Sequence, residues 1–100
     1  MAQRIIVYWR DIPTQVIVKQ GRTAAKLELP EQFITAVDRA AMRSGARDSE
    51  AYLAEWRRGA PEPCGDDLAA EADAALADIL ARYDAARLDA LVKTGGRDAA

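Results

Sequence analysis

The chain has 100 residues, half of them hydrophobic and 30% charged, the balance of one globular domain with a modest core rather than of a disordered chain. Its single cysteine excludes an internal disulfide, its lack of histidine excludes His-based triads and His metal sites, and its net charge of −2 gives no strong basic patch. No apolar run approaches the roughly 18 residues of a membrane span, and the short run Ile5–Trp9 is too brief for a signal-peptide core, so a cytoplasmic protein is expected.

Residues 4–10 and 15–20 are rich in Ile, Val, Tyr and Trp and flank a turn-like segment, Arg10-Asp11-Ile12-Pro13-Thr14, which predicts a hairpin. Alternation puts Ile5, Val7 and Trp9 on one face of the first strand and Ile6 and Tyr8 on the other. That pattern predicts a strand buried on both sides, or one whose outer face meets a partner. Gly21 permits a turn into a third short strand, "AAKLELP", with Lys26 and Glu28 facing away from Ala25, Leu27 and Leu29. Pro30 and Glu31 suit the first turn of a helix carrying Phe33, Ile34, Val37, Ala40 and Ala41 at helical spacing, with Gly45 as its stop. Asp48 or Ser49 caps a second helix that lines up Tyr52, Leu53 and Trp56. "RRGAPEPCG" reads as a linker, and Asp66 and Asp67 open a long alanine-rich helix to about residue 92. In that helix Leu76, Ile79, Tyr83 and Ala86 form a stripe.

The predicted class is therefore α+β: a small antiparallel sheet packed with two short helices, then a long C-terminal amphipathic helix. Within a single domain, residues 1–59 form the core, 60–65 a Pro/Gly linker, 66–94 the acidic helix and 95–100 a flexible tail. Charge follows the same division. Residues 1–59 carry ten Lys or Arg against seven Asp or Glu, and residues 66–92 carry seven acids against two arginines. The acidic part can pair with the first or repel a nucleic acid that the first tolerates.

The sequence offers little catalytic chemistry. It has neither G-x-x-x-x-G-K-[ST] nor G-x-G-x-x-G, and one cysteine cannot build a zinc site. Cys64 stands before a helix N-terminus, which favours a thiolate, but Glu62, Asp66 and Asp67 oppose it, so it reads as an incidental linker residue. Asp66, Asp67, Glu71, Asp73 and Asp78 read as a solvated face with capping roles rather than as a catalytic pair. Tyr8, Trp9, Tyr52 and Trp56 are the aromatics able to anchor a partner. Trp56 reads as core, and Tyr8 and Trp9 stay open between core and contact surface. Arg39, Arg43, Arg47, Arg57 and Arg58 read as a solvated or internally paired face. No metal or cofactor is expected.

Two resemblances bear on function. "KLELPEQFITAVDRAAMRSGARDSEAYLAEWRR" resembles ribbon-helix-helix DNA-binding proteins, which dimerise through the strand and insert its outward side chains into the major groove. Those side chains would be Lys26 and Glu28, and a carboxylate there suits only a cytosine amino group. "IVYWRDIPTQVIV", with "LPEQFITAVDRAAMRSG" and "SEAYLAEWRR", is similar to the small bacterial virulence-factor domain that also occurs in conserved virulence factor C proteins. This second resemblance spans residues 4–58 and implies bacterial origin and a loose association with one-carbon metabolism. It carries no catalytic or cofactor residue to this chain.

The expectation is a non-enzymatic accessory or adaptor domain that binds an unidentified protein partner, with Tyr8, Trp9, Arg10 and Asp11 as the contact surface. The oligomeric state is left open, and a DNA-binding regulator is the alternative. This reading expects Trp9→Ala to weaken partner capture more than it lowers stability.

Overall fold

The computed structural model describes residues 2–45 and 49–97. The expected cap Asp48, with Arg47, lies outside the described residues, as do residues 98–100 of the expected tail. The N-terminal hairpin forms as predicted, from β1 (Ala2–Trp9) and β2 (Ile12–Gln20), and β3 (Thr23–Glu28) extends it on one edge. The turn is shorter than expected. Trp9 pairs with Ile12, so only Arg10 and Asp11 lie outside the strands, and Ile12, Pro13 and Thr14 belong to β2. The register shifts between Val7 and Tyr8, leaving Thr14 as the extra residue. Pro13 is tolerated beside this irregularity, where an absent N–H disrupts least. Thr14 settles its own bulge: its hydroxyl donates to the Val7 carbonyl at 2.9 Å, and its carbonyl accepts from the Leu29 N–H at 3.1 Å.

Helix α1 (Glu31–Ser44) runs from Pro30, which takes the N-cap position, to Gly45 in the left-handed conformation. Its apolar stripe of Phe33, Ala36, Val37, Ala40 and Ala41 is buried. Helix α2 (Ser49–Ala54) is only six residues long, and the expected alignment of Tyr52, Leu53 and Trp56 does not hold. Leu53 is 64% exposed, and Trp56 has left the helix for β4 (Trp56–Arg58), which pairs with the end of β1. The expected linker contains a second strand, β5 (Glu62–Cys64), paired with the start of β1. Both short strands therefore share one edge of β1 and complete a five-stranded antiparallel sheet. Proline and glycine spacing marks a break in helix, but it does not forbid three-residue edge strands.

The long C-terminal helix is two helices, α3 (Leu68–Arg82) and α4 (Ala85–Lys93). Asp67 caps the first, accepting from the Ala70 N–H at 3.1 Å. Tyr83 closes it by donating its N–H to Ile79, and Asp84 caps the second by accepting from the Arg87 N–H at 2.9 Å. The continuous stripe through Tyr83 and Ala86 is thus divided. Ala72, Ala75 and Ile79 pack α3 against the sheet, while Leu88, Leu91 and Val92 bury the face of α4, which packs against α1. Small residues let α3 approach the strands closely, and the bend after Arg82 lets the chain bury two faces against two different neighbours. The main core joins these helices to Val16, Val18, Trp9 and Ile12, while Ile5 and Ile17 are buried outside that cluster. Trp9 therefore parts company with Ile5, its expected face-mate, and near its middle β1 carries the buried Ile5 on one face and the partly buried Ile6 on the other.

Candidate functional site

The hairpin tip is a junction. A two-residue turn forces Arg10 to φ +53, a left-handed conformation that costs a non-glycine residue about 1 kcal/mol or more. Two distant chain segments hold it there. The Arg10 N–H donates to the Glu55 carbonyl at 3.0 Å, and the Asp11 N–H donates to the Gly96 carbonyl at 2.8 Å. The Arg10 guanidinium donates to the Gly95 carbonyl at 2.7 Å, lies 4.9 Å from the Trp9 ring centre, and approaches the Glu55 carboxylate at 3.6 Å. Arg97 reaches the same carboxylate at 3.4 Å. Arg10 Nε is buried without a hydrogen bond among the described residues, so the Glu55 charge provides its compensation.

Trp9 lies inside this junction. It is fully buried, and its Nε1–H donates to the Tyr52 carbonyl at 2.9 Å. The Tyr52 ring is 5.8 Å away in a tilted arrangement. The chain after α4 passes directly over the indole: a Cβ on Gly96, whose φ is +90, would stand 2.9 Å from Trp9 Cζ3. The part of the expected flexible tail that is described, Gly95–Arg97, is therefore docked, and both glycines are buried. A partner cannot touch Trp9 without opening the hairpin.

Of the four expected contact residues, Tyr8 and Asp11 face an open recess of about 350 Å³, bordered also by Arg57, Gly59 and Tyr83. Arg57 organises it. Its guanidinium lies 4.5 Å from the Tyr8 ring centre, pairs with the Asp11 carboxylate at 3.2 Å and donates to the Arg10 carbonyl at 3.0 Å. Outside the recess, Arg87 and Arg82 lie 4.3 and 5.8 Å from the ring centre of Tyr83. Burial, with the neighbouring Tyr83, lifts the Tyr8 hydroxyl above its ordinary pKa, against the opposing pull of Arg57 and Arg82. The recess thus presents two tyrosines, the Arg57 guanidinium and the Asp11 carboxylate.

Sequence reasoning expected Arg57 on a solvated or internally paired face, as its pairing with Asp11 bears out, but not in the recess, and it missed Tyr83, Glu55 and the Gly95-Gly96 pair as site residues. The glycine pair was the available signal of a close backbone approach. Arg57 and Tyr83 gave no such signal, because their place depends on β4 and on the α3–α4 bend.

The other candidates are dispersed. Cys64 is part-buried on β5, opposite Ala2. Desolvation, then the Glu71 and Asp66 carboxylates, raise its thiol pKa while Arg4 lowers it, so the thiol form is favoured. Asp66 accepts from the Gln20 amide at 3.1 Å, and Asp78 pairs with Arg82 at 2.9 Å. Among the described residues no group of three or more His, Cys, Asp or Glu could hold a metal ion, and no helix is long and apolar enough to cross a membrane. Arg39 and Arg43 tie α1 to α4 through the Asp89 carboxylate and the Lys93 carbonyl, both at 3.3 Å. Lys26 and Glu28 are exposed on β3, which pairs with β2 along its whole length.

No curated protein and no solved structure matches this chain. The sequence model of one family, described as virulence factor, matches residues 7–92, from the middle of β1 almost to the end of α4. That match takes in the bend between α3 and α4 as well as the hairpin, and by it the chain belongs to the virulence factor family.

Proposed function

We propose that this domain is a non-enzymatic accessory or adaptor module of the bacterial cytoplasm that binds a partner protein through the recess beside the hairpin tip. The supporting observation is one open recess lined by Tyr8, Tyr83, Arg57 and Asp11, with the Arg57 guanidinium against the Tyr8 ring. Tyrosine and arginine dominate interface hot spots, because they offer large rigid contact area together with polar ends. The proposed surface keeps Tyr8 and Asp11 from the sequence reading, adds Arg57 and Tyr83, and leaves Trp9 and Arg10 as its internal support. The link to one-carbon metabolism rests on the family resemblance alone. The duplex-binding alternative is disfavoured by Glu28, which puts a negative charge beside Lys26 on the strand that would enter the major groove, where a carboxylate suits only a cytosine amino group.

The test is tagged purification from the native bacterium, with mass spectrometry of the co-eluting proteins and a mass measurement of the assembly. Arg57→Ala is expected to lose the partner while keeping the fold, since Arg57 is half exposed. Equal capture by both proteins would refute the assignment. A mobility shift with duplex DNA at low salt would revive the alternative.

A further inference from the structure

The outer flank of α1 carries a second surface. Ile34, Asp38 and Met42 recur every four residues and so share one stripe of the helix. Ile34 is 43% and Met42 61% exposed, against the nearly complete burial of the opposite stripe. The stripe borders two recesses. One, of about 560 Å³, lies between the start of α1 and the sheet, with Val7, Leu29, Ile34 and Trp56 as its apolar lining. The other, of about 320 Å³, lies against Met42, Ala41 and Tyr52. Trp56 lines the first and Tyr52 the second, and their rings are in edge-to-face contact at 5.9 Å, so the two recesses adjoin along the stripe as a groove. From Glu31 to Met42 it follows α1 for about 16 Å, or three helical turns.

The charged side chains that line the two recesses have one sign. Glu28 and Glu31 line the first recess and Asp38 the second, and no lysine or arginine is among the described residues lining either. Lys26 and Arg58 flank the first recess without lining it: Lys26 stands two residues before Glu28 on β3, and Arg58 opposite Val7 on β4. Burial and the Asp38 carboxylate together raise the Tyr52 hydroxyl pKa, so the acid's field reaches the groove wall. An apolar groove of helical length with an acidic rim complements one kind of occupant.

We infer that the groove between α1, Tyr52 and Trp56 docks a basic amphipathic helix of a partner protein, its apolar side chains against Ile34, Met42 and Trp56 and its lysines or arginines against Glu28, Glu31 and Asp38. This surface is separate from the hairpin recess, and the two readings fail separately, since each has its own variants.

The experiment screens a displayed library of helical peptides against the full chain, then measures the enriched peptides by fluorescence anisotropy. The expected peptides carry Lys or Arg beside apolar residues at helical spacing. Their affinity is expected to fall about tenfold or more for Ile34→Glu/Met42→Glu and for Glu31→Lys/Asp38→Lys. These positions are exposed, and circular dichroism verifies that each variant stays folded. No enrichment, enrichment of neutral or acidic peptides, or undiminished binding to either variant would overturn the inference. So would a concentration-dependent dimer lost in Ile34→Glu/Met42→Glu, which would assign the groove to a second copy of this chain.

Discussion

Replacing Gly96 by alanine tests whether the C-terminal segment closes the core. Two costs add at this position. With φ +90 the backbone lies in the region that L-residues avoid, which costs about 1–2 kcal/mol. The new Cβ would also stand 2.9 Å from Trp9 Cζ3 and 3.3 Å from Cε3, on a ring that is fully buried and cannot swing away. Overpacking of that kind costs about 1–3 kcal/mol more. Gly21 provides the control, because its φ is +59 and nothing lies within 4 Å of its added Cβ. Gly21→Ala therefore carries the backbone cost alone. The gain from stiffening the unfolded chain is common to both and cancels. Gly96→Ala is expected to be less stable than Gly21→Ala by about 1–3 kcal/mol, or to melt about 4–24 °C lower in a domain of this size. Urea unfolding followed by circular dichroism reads the difference. Equal stability of the two variants would refute the docking of Gly96 over Trp9.

Trp9→Ala is expected to cost about 3–5 kcal/mol in the same urea assay, a large share of a small domain's stability. Trp9→Phe, which leaves the Tyr52 carbonyl only the longer bond from the Glu55 N–H at 3.4 Å, should cost about 1 kcal/mol, and a loss under 1 kcal/mol for the alanine variant would contradict the burial described above. Asp84→Ala removes the cap that starts α4 and should cost about 1 kcal/mol, with amide hydrogen exchange rising in α4 before α3; a uniform response would mean the two helices are one unit. The Tyr8 and Tyr52 pKa values are both raised above 10.0 in the folded chain. The folded state therefore holds their protons more tightly than the unfolded one, and the associated stability is present below pH 10 and lost as the pH climbs through the raised values. Urea midpoints from pH 8 to 11 should fall at the alkaline end, less steeply in Tyr8→Phe/Tyr52→Phe; an unchanged slope would contradict this.

The local elements were legible where the chain repeats a period without interruption. Alternation in residues 4–9 and 15–20 marked the hairpin, and the 3-4 spacing from Phe33 to Ala41, with Gly45 behind it, marked α1 and its end. The family resemblance likewise rested on residues visible in order, "YWRDIP" above all. Short and divided elements were not legible. Trp56 continues a helical pattern as well as it fits a strand, and only the open edge of β1, a long-range partner, decides for the strand. The alanine-rich run from Asp66 is apolar enough to continue past Tyr83, and the bend there pays off only because α1 offers α4 a second surface to bury. The candidate site followed the same division. By itself the sequence determined that an aromatic-arginine-aspartate hairpin exists and that histidine chemistry does not. The tertiary structure decided that Trp9 and Arg10 face inward, because Glu55 and Gly95-Gly96 approach the tip from 40 or more residues away in the chain. It also decided that Tyr8 and Asp11 share their open recess with Arg57 and Tyr83. Side-chain direction at a turn depends on what packs against it, and that information is spread over distant segments.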